Sequence, residues 1–188
     1  MSDNAPVAVF DSGIGGLTVV SALQQVLPHE SIVYLGDTAR VPYGGKSRET
    51  IERYSEEIAQ MLVGEGAKVV VVACNSASAL ALPRLRGKLT VPVEGVIDPG
   101  VAAALTATRS GHVAVIGTKA TIGSGAYECS LRAARPDIRV TSLACPLLVP
   151  LIEEGLLDDP VTDAVLERYL GPLGQTDVDT LVLGCTHY

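Results

Sequence analysis

At 188 residues, 47% hydrophobic and with a mean hydropathy of +0.33, the chain carries enough apolar surface for one or two small domains and lacks the composition of a disordered protein. A net charge of −7, six tyrosines, one phenylalanine and no block of like charges offer neither a phosphate-backbone footprint nor a base-stacking platform, which argues against nucleic acid as a partner. The opening MSDNAPVAVFD has no basic n-region or cleavable apolar segment, and no apolar run reaches the ~18 residues of a membrane span, so a cytoplasmic protein with no membrane partner is expected.

The first predicted strand, 7–10, ends in FDSGIGG and leads into a helix over 17–26. A second strand at 32–35 ends in LGDTARVPYGG, ahead of a helix over 47–62. Ser47, Glu49 and Thr50 signal the start of that helix, and Ile51, Tyr54, Ile58, Met61 and Leu62 recur at three- and four-residue spacing, which reads as a packing face. The strand at 69–73 ends in ACNSAS before a helix over 77–85. A short strand at 93–96 lies in TVPVEGVIDPG, whose two prolines and two glycines suggest a boundary near Ile97 and domains 1–97 and 98–188. Then follow a helix over 99–108, a strand at 113–116 ending in IGTKATIGS and a helix over 121–134. A strand at 140–143, helices over 147–154 and 161–170, and a strand at 180–183 ending in LGCTHY complete the series. Such alternation of β-branched runs with helical stretches predicts an α/β fold in which most strands are buried and parallel.

Open α/β sheets bind ligands beyond the carboxyl ends of their strands, and every tip here is rich in small or hydroxylated residues. Helices that begin just after such tips present free backbone N–H groups and a partial positive charge, so an acidic protein can still hold an acidic ligand. The glycines of 11–16 do not form a dinucleotide fingerprint. Thr18 stands where a glycine is required, and no P-loop lysine follows; an anion or amino-acid loop fits better.

Four cysteines, Cys74, Cys129, Cys145 and Cys185, show no CxxC spacing and fit neither a disulfide scaffold nor a zinc ribbon. Cys129 in a helical pattern and Cys145 before Pro146 read as small buried hydrophobes. Cys74 and Cys185 instead stand at strand tips, followed by Asn75–Ser76 and Thr186–His187. A thiol near a helix N-terminus has its pKa lowered from about 8.5 toward neutrality, so it can take or give a proton. His187, two residues beyond Cys185, points to the same side of extended chain and can exchange a proton with the thiol; otherwise it is a satisfied structural histidine. Cys74, Cys185 and His187 do not make a convincing metal set, since His29 and His112 lie in unrelated contexts. Nor is there a sign of PLP binding or of a Schiff-base lysine, so no cofactor is expected.

Taken together, FDSGIGGLTV, GDTARVPYGG, ACNSASA, VIGTKATIGSGAY, CPLLVPLIEEG and LGCTHY resemble the glutamate racemases of the cofactor-independent aspartate/glutamate racemase superfamily. The resemblance implies two similar α/β domains with mainly parallel sheets, an active site in the cleft between them, glutamate as substrate, a role in supplying D-glutamate for peptidoglycan, and a possible homodimer. By position, Cys74 and Cys185 match the catalytic acid/base thiols. Asp11, Ser12, Tyr43, Gly44, Asn75, Ser76, Thr186 and His187 match substrate contacts, and Asp11, Glu153 and His187 match side chains that assist proton transfer. The chemistry suits such a set: inverting an α-carbon needs one acid/base group on each face, and donors aimed at the carboxylate must stabilise the carbanion. Ser76 stands where the family has threonine. The family also continues past GCTHY, which implies that this chain is a fragment lacking the completion of its first domain. Related racemases or decarboxylases acting on aspartate, hydantoins or malonates, and a non-catalytic amino-acid-binding regulator, are the alternatives; FDSGIGG and the histidine of GCTHY favour glutamate.

Overall fold

The computed structural model describes residues 4–188, which divide into two compact units, one ending at Val96 and the other running from Ile97 to Tyr188. The first contains β1 (Val7–Asp11), α1 (Leu17–Val26), β2 (Ile32–Gly36), α2 (Arg48–Gly64), β3 (Val69–Val72), α3 (Asn75–Lys88) and β4 (Val93–Gly95). Its strands form one parallel sheet in the order β2-β1-β3-β4. The uncharged run Val7–Phe10 makes β1 the natural interior strand, and it is buried along its whole length. α2 is capped by Ser47, whose hydroxyl accepts the Thr50 N–H at 3.3 Å, and it buries Ile51, Ser55, Ile58, Ala59 and Leu62. Met61, expected on that face, is 55% exposed, because it lies about 100° round the helix from the buried stripe.

The second unit contains α4 (Ile97–Ala107), β5 (His112–Gly117), α5 (Lys119–Gly123), α6 (Ala126–Ala134), β6 (Arg139–Ala144), α7 (Leu148–Glu153), α8 (Pro160–Leu170) and β7 (Thr180–Gly184), with a 3-10 turn over 171–175 before the last strand. Its sheet is also parallel, in the order β6-β5-β7. Two expectations need correction here. The helix expected over 121–134 is two, interrupted at Gly125, whose φ of +69° is a left-handed conformation that side chains disfavour. Among the described residues, full burial along a whole strand belongs to β1 and β5 alone; the edge strands β2, β6 and β7 are half exposed, and Leu181 and Leu183 of β7 face outward.

Two aspartates tie the end of the second sheet that lies opposite the strand tips. Asp179 accepts the Thr108 hydroxyl and the N–H groups of Arg109 and Ser110, each at 2.7 Å. Asp177 pairs with Arg139 and with His112 Nδ1, and the other ring nitrogen of His112 bonds Thr141. Among the described residues, no helix is long and apolar enough to cross a membrane.

Candidate active site

Parallel pairing sets Asp11 beside Gly36 and Phe10 beside Val72, so the tips of β2, β1 and β3 emerge together at one edge of the first sheet. Asp11, Ser12, Tyr43, Gly44, Cys74, Asn75 and Ser76 all follow or end these strands. Asp11 is fully buried, and its Oδ2 accepts the N–H groups of Gly13 at 3.0 Å and Gly16 at 3.3 Å, folding the loop around its own carboxylate. Tyr34 on β2 donates its hydroxyl to the Gly13 carbonyl at 2.6 Å; burial, then Asp11 and Cys74, push that phenol up to about 12. The loop passes so close to β2 that a side-chain Cβ at Gly36 would lie 2.3 Å from the Gly13 carbonyl oxygen.

Cys74 is the N-cap residue of α3, and α3 begins at Asn75, two residues earlier than the sequence suggested. Asn75 and Ser76 are therefore buried in the first helical turn and are not part of a loop. The Cys74 thiol is 4% exposed and donates to Ser12 Oγ at 3.7 Å. Burial, followed by the neighbouring Asp11 charge, pushes this thiol up to about 11, outweighing the N–H groups of Ala77 and Ser76 and the Ser12 hydroxyl, which act in the opposite sense. The near-neutral thiol expected from the helix N-terminus is thus not what Cys74 presents.

The segment after β2 is fastened to α2. Tyr43, buried, donates its hydroxyl to Asp37, and its ring lies 5.8 Å from the ring of Tyr54 on α2. Burial and then the bond to Asp37 push the Tyr43 phenol up, which keeps it a neutral donor. Half-buried Gly44 follows directly.

In the second unit, Cys185, Thr186 and His187 follow β7, and Glu153 ends α7. The Cys185 sulfur lies 3.6 Å from His187 Nδ1, and His187 Nε2 lies 2.8 Å from Glu153 Oε1, within ion-pair distance but without the alignment of a hydrogen bond, so thiol, imidazole and carboxylate are neighbours in that order. The imidazole is 6% exposed and the carboxylate 50%, so the series leads from a partly covered sulfur toward solvent. Pairing of Gly117 with Gly184 brings the β5 tip alongside. That tip carries Thr118, the cap of α5, whose hydroxyl accepts the Thr121 N–H at 3.1 Å; both threonines are buried. Sequence reasoning noted the IGTKAT tip without singling out these two hydroxyls, although the Thr-x-x-Thr spacing of a helix cap was available. Cys145 is buried as expected, but Cys129 is exposed on the outer face of α6, which corrects its reading as a core residue. Among the described residues, no group of three or more His, Cys, Asp or Glu side chains is arranged to hold a metal.

A family model described as Asp/Glu/Hydantoin racemase matches residues 17–188. The chain belongs to that family. It is 51% identical over 189 residues to a glutamate racemase of Chlorobaculum tepidum, a match covering all of this chain and 70% of that protein. Among solved structures, a glutamate racemase isoform from Bacillus anthracis superposes with a TM-score of 0.94 at 43% identity, covering 100% of this chain and 70% of its own. The Francisella tularensis glutamate racemase in complex with D-glutamate superposes with a TM-score of 0.92 at 41% identity, with the same coverage of both chains. This racemase-family chain therefore spans about 70% of the length of these relatives.

Proposed function

We propose that this chain carries the acid/base machinery of a cofactor-independent glutamate racemase that interconverts L- and D-glutamate with two thiols. The observation that carries the reading is that each unit supplies one cysteine at a strand tip with a partner for handling a proton. Cys74 has Ser12 and Asp11 beside it, and Cys185 has His187 backed by Glu153. In the L-to-D direction the Cys185 thiolate removes the α-proton, and the Cys74 thiol delivers its own proton to the opposite face of the carbanion. Cys74 is left as the thiolate and Cys185 as the thiol, and the D-to-L direction runs this in reverse. Ser12, Ser76 and Thr186 hydroxyls, with the N–H groups at the start of α3, are the donors for the α-carboxylate as charge builds on it. Asp11, Tyr43, Gly44, Asn75 and His187 complete the substrate contacts. Relatives named glutamate racemase at about half identity, and one of 41% identity solved with D-glutamate, support glutamate over aspartate, hydantoin or malonate. The corresponding role is supply of D-glutamate for peptidoglycan synthesis in the cytoplasm, by a chain that pairs as a homodimer.

The test is deuterium uptake at the α-carbon of glutamate in D2O, followed by NMR alongside circular dichroism of the amino acid. Uptake with inversion is expected from either enantiomer, and Cys74→Ser or Cys185→Ser should abolish inversion while glutamate still binds. Undiminished inversion by Cys74→Ser defeats the two-thiol mechanism, and binding without any exchange leaves an amino-acid-binding protein in place of an enzyme.

A further inference from the structure

Arg40 lies on the segment between β2 and Tyr43, outside the set of substrate contacts and acid/base groups. Its Nε meets Asp37 Oδ2 at 2.7 Å, the same oxygen that accepts the Tyr43 hydroxyl. One of its terminal nitrogens reaches Glu57 on α2 at 2.7 Å, and its guanidinium carbon stands 4.1 Å above the ring of Tyr54, one turn earlier on that helix. A single exposed ion pair would count for little. Here three contacts converge on one planar group, Arg40 is 31% exposed, and its partner Asp37 is only 8% exposed. The carboxylate therefore sits where water screens it weakly, next to a loop that in the proposed reading receives a dicarboxylate.

We infer that Arg40 is a positioning residue for the Tyr43–Gly44 loop, clamping the loop to α2 and cancelling the Asp37 charge so that this edge of the sheet accepts an anionic amino acid. The second half of this inference rests on the glutamate reading above; the first half stands without it. Three variants separate the two: Arg40→Gln removes the charge and the fork, Arg40→Lys keeps the charge alone, and Arg40→Gln combined with Asp37→Asn removes both charges.

Hydrogen exchange without ligand reads the clamp through the Lys46 amide, which bonds the Tyr43 carbonyl at 2.9 Å. In Arg40→Gln that amide should exchange at least about tenfold faster while β1 amides stay protected, and an unchanged rate overturns the clamp. NMR titration with D-glutamate reads the charge. Arg40→Gln should bind about tenfold more weakly, and because Asp37 is nearly buried most of that deficit should persist in added salt. Arg40→Lys should bind nearly as the parent does, and the double variant should recover affinity while its loop amide still exchanges fast. A double variant that binds no better than Arg40→Gln overturns the charge role. If the parent chain binds no glutamate at all, the proposed function fails, and the exchange experiment still decides the clamp.

Discussion

Cys74 is 4% exposed with its thiol donating to Ser12, whereas Cys185 is partly exposed and faces an imidazole that Glu153 approaches from the other side. With its pKa raised to about 11, Cys74 is a thiol at neutral pH, which in the proposed reading makes it the proton donor for L-glutamate. Alkylation with iodoacetamide, followed by peptide mass spectrometry, should modify exposed Cys129 faster than Cys74, and the Cys74 rate should still be rising above pH 9. A Cys74 rate that levels off near pH 7 contradicts the burial argument. His187→Gln should slow α-proton exchange starting from L-glutamate by about 10²–10⁴-fold, with a smaller effect starting from D-glutamate. Equal losses from both enantiomers would show that the imidazole serves neither thiol in particular. The position of each thiol could be read from the sequence, because a β-branched run followed by small polar residues marks a strand tip. The acidity of Cys74 could not, since its burial depends on β1, β3 and α3 converging and on Asp11 turning inward.

The seven strands among the described residues were legible as β-branched runs, because the pleated, half-buried surface of a strand favours such side chains. Boundaries at the tips were less so. Asn75 and Ser76 look like loop residues on composition, yet they occupy the first turn of α3, where short polar side chains are favoured. The division between α5 and α6 depends on one left-handed glycine, and the TIGSGAYE stretch does not distinguish that from an ordinary helical glycine. Arg40 was invisible because its partners Tyr54 and Glu57 belong to another element. The approach of the Asp11–Gly16 loop to β2 gives a test at this level. Gly36→Ala must displace the Gly13 carbonyl and should cost about 1–3 kcal/mol in urea unfolding, whereas Gly45→Ala, with nothing within 4 Å of its added carbon, should be close to neutral. Equal stability of the two variants would mean that the loop yields freely.

Acid should loosen the end of the second sheet that lies opposite its strand tips. Asp177 is held well below the usual carboxylate range by Arg139 and then His112, and Asp179 by the Thr108 hydroxyl and the Ser110 and Arg109 N–H groups. Both have a lower pKa folded than unfolded, so their stabilisation is present above the ordinary carboxylate range, about 4, and is lost as pH falls through it toward the depressed values. Asp179→Asn should therefore melt below the parent at pH 7, and the gap should close as pH drops below about 4. A gap independent of pH would assign the loss to geometry and not to charge.

The strand order has a further consequence during synthesis. β1 occupies an interior position in its sheet, yet the ribosome makes it before either neighbour, and β3 follows roughly sixty residues later. At ~5–20 residues per second, the VAVF segment spends about 3–12 s without its second flank, a sticky ribbon open to nascent-chain chaperones.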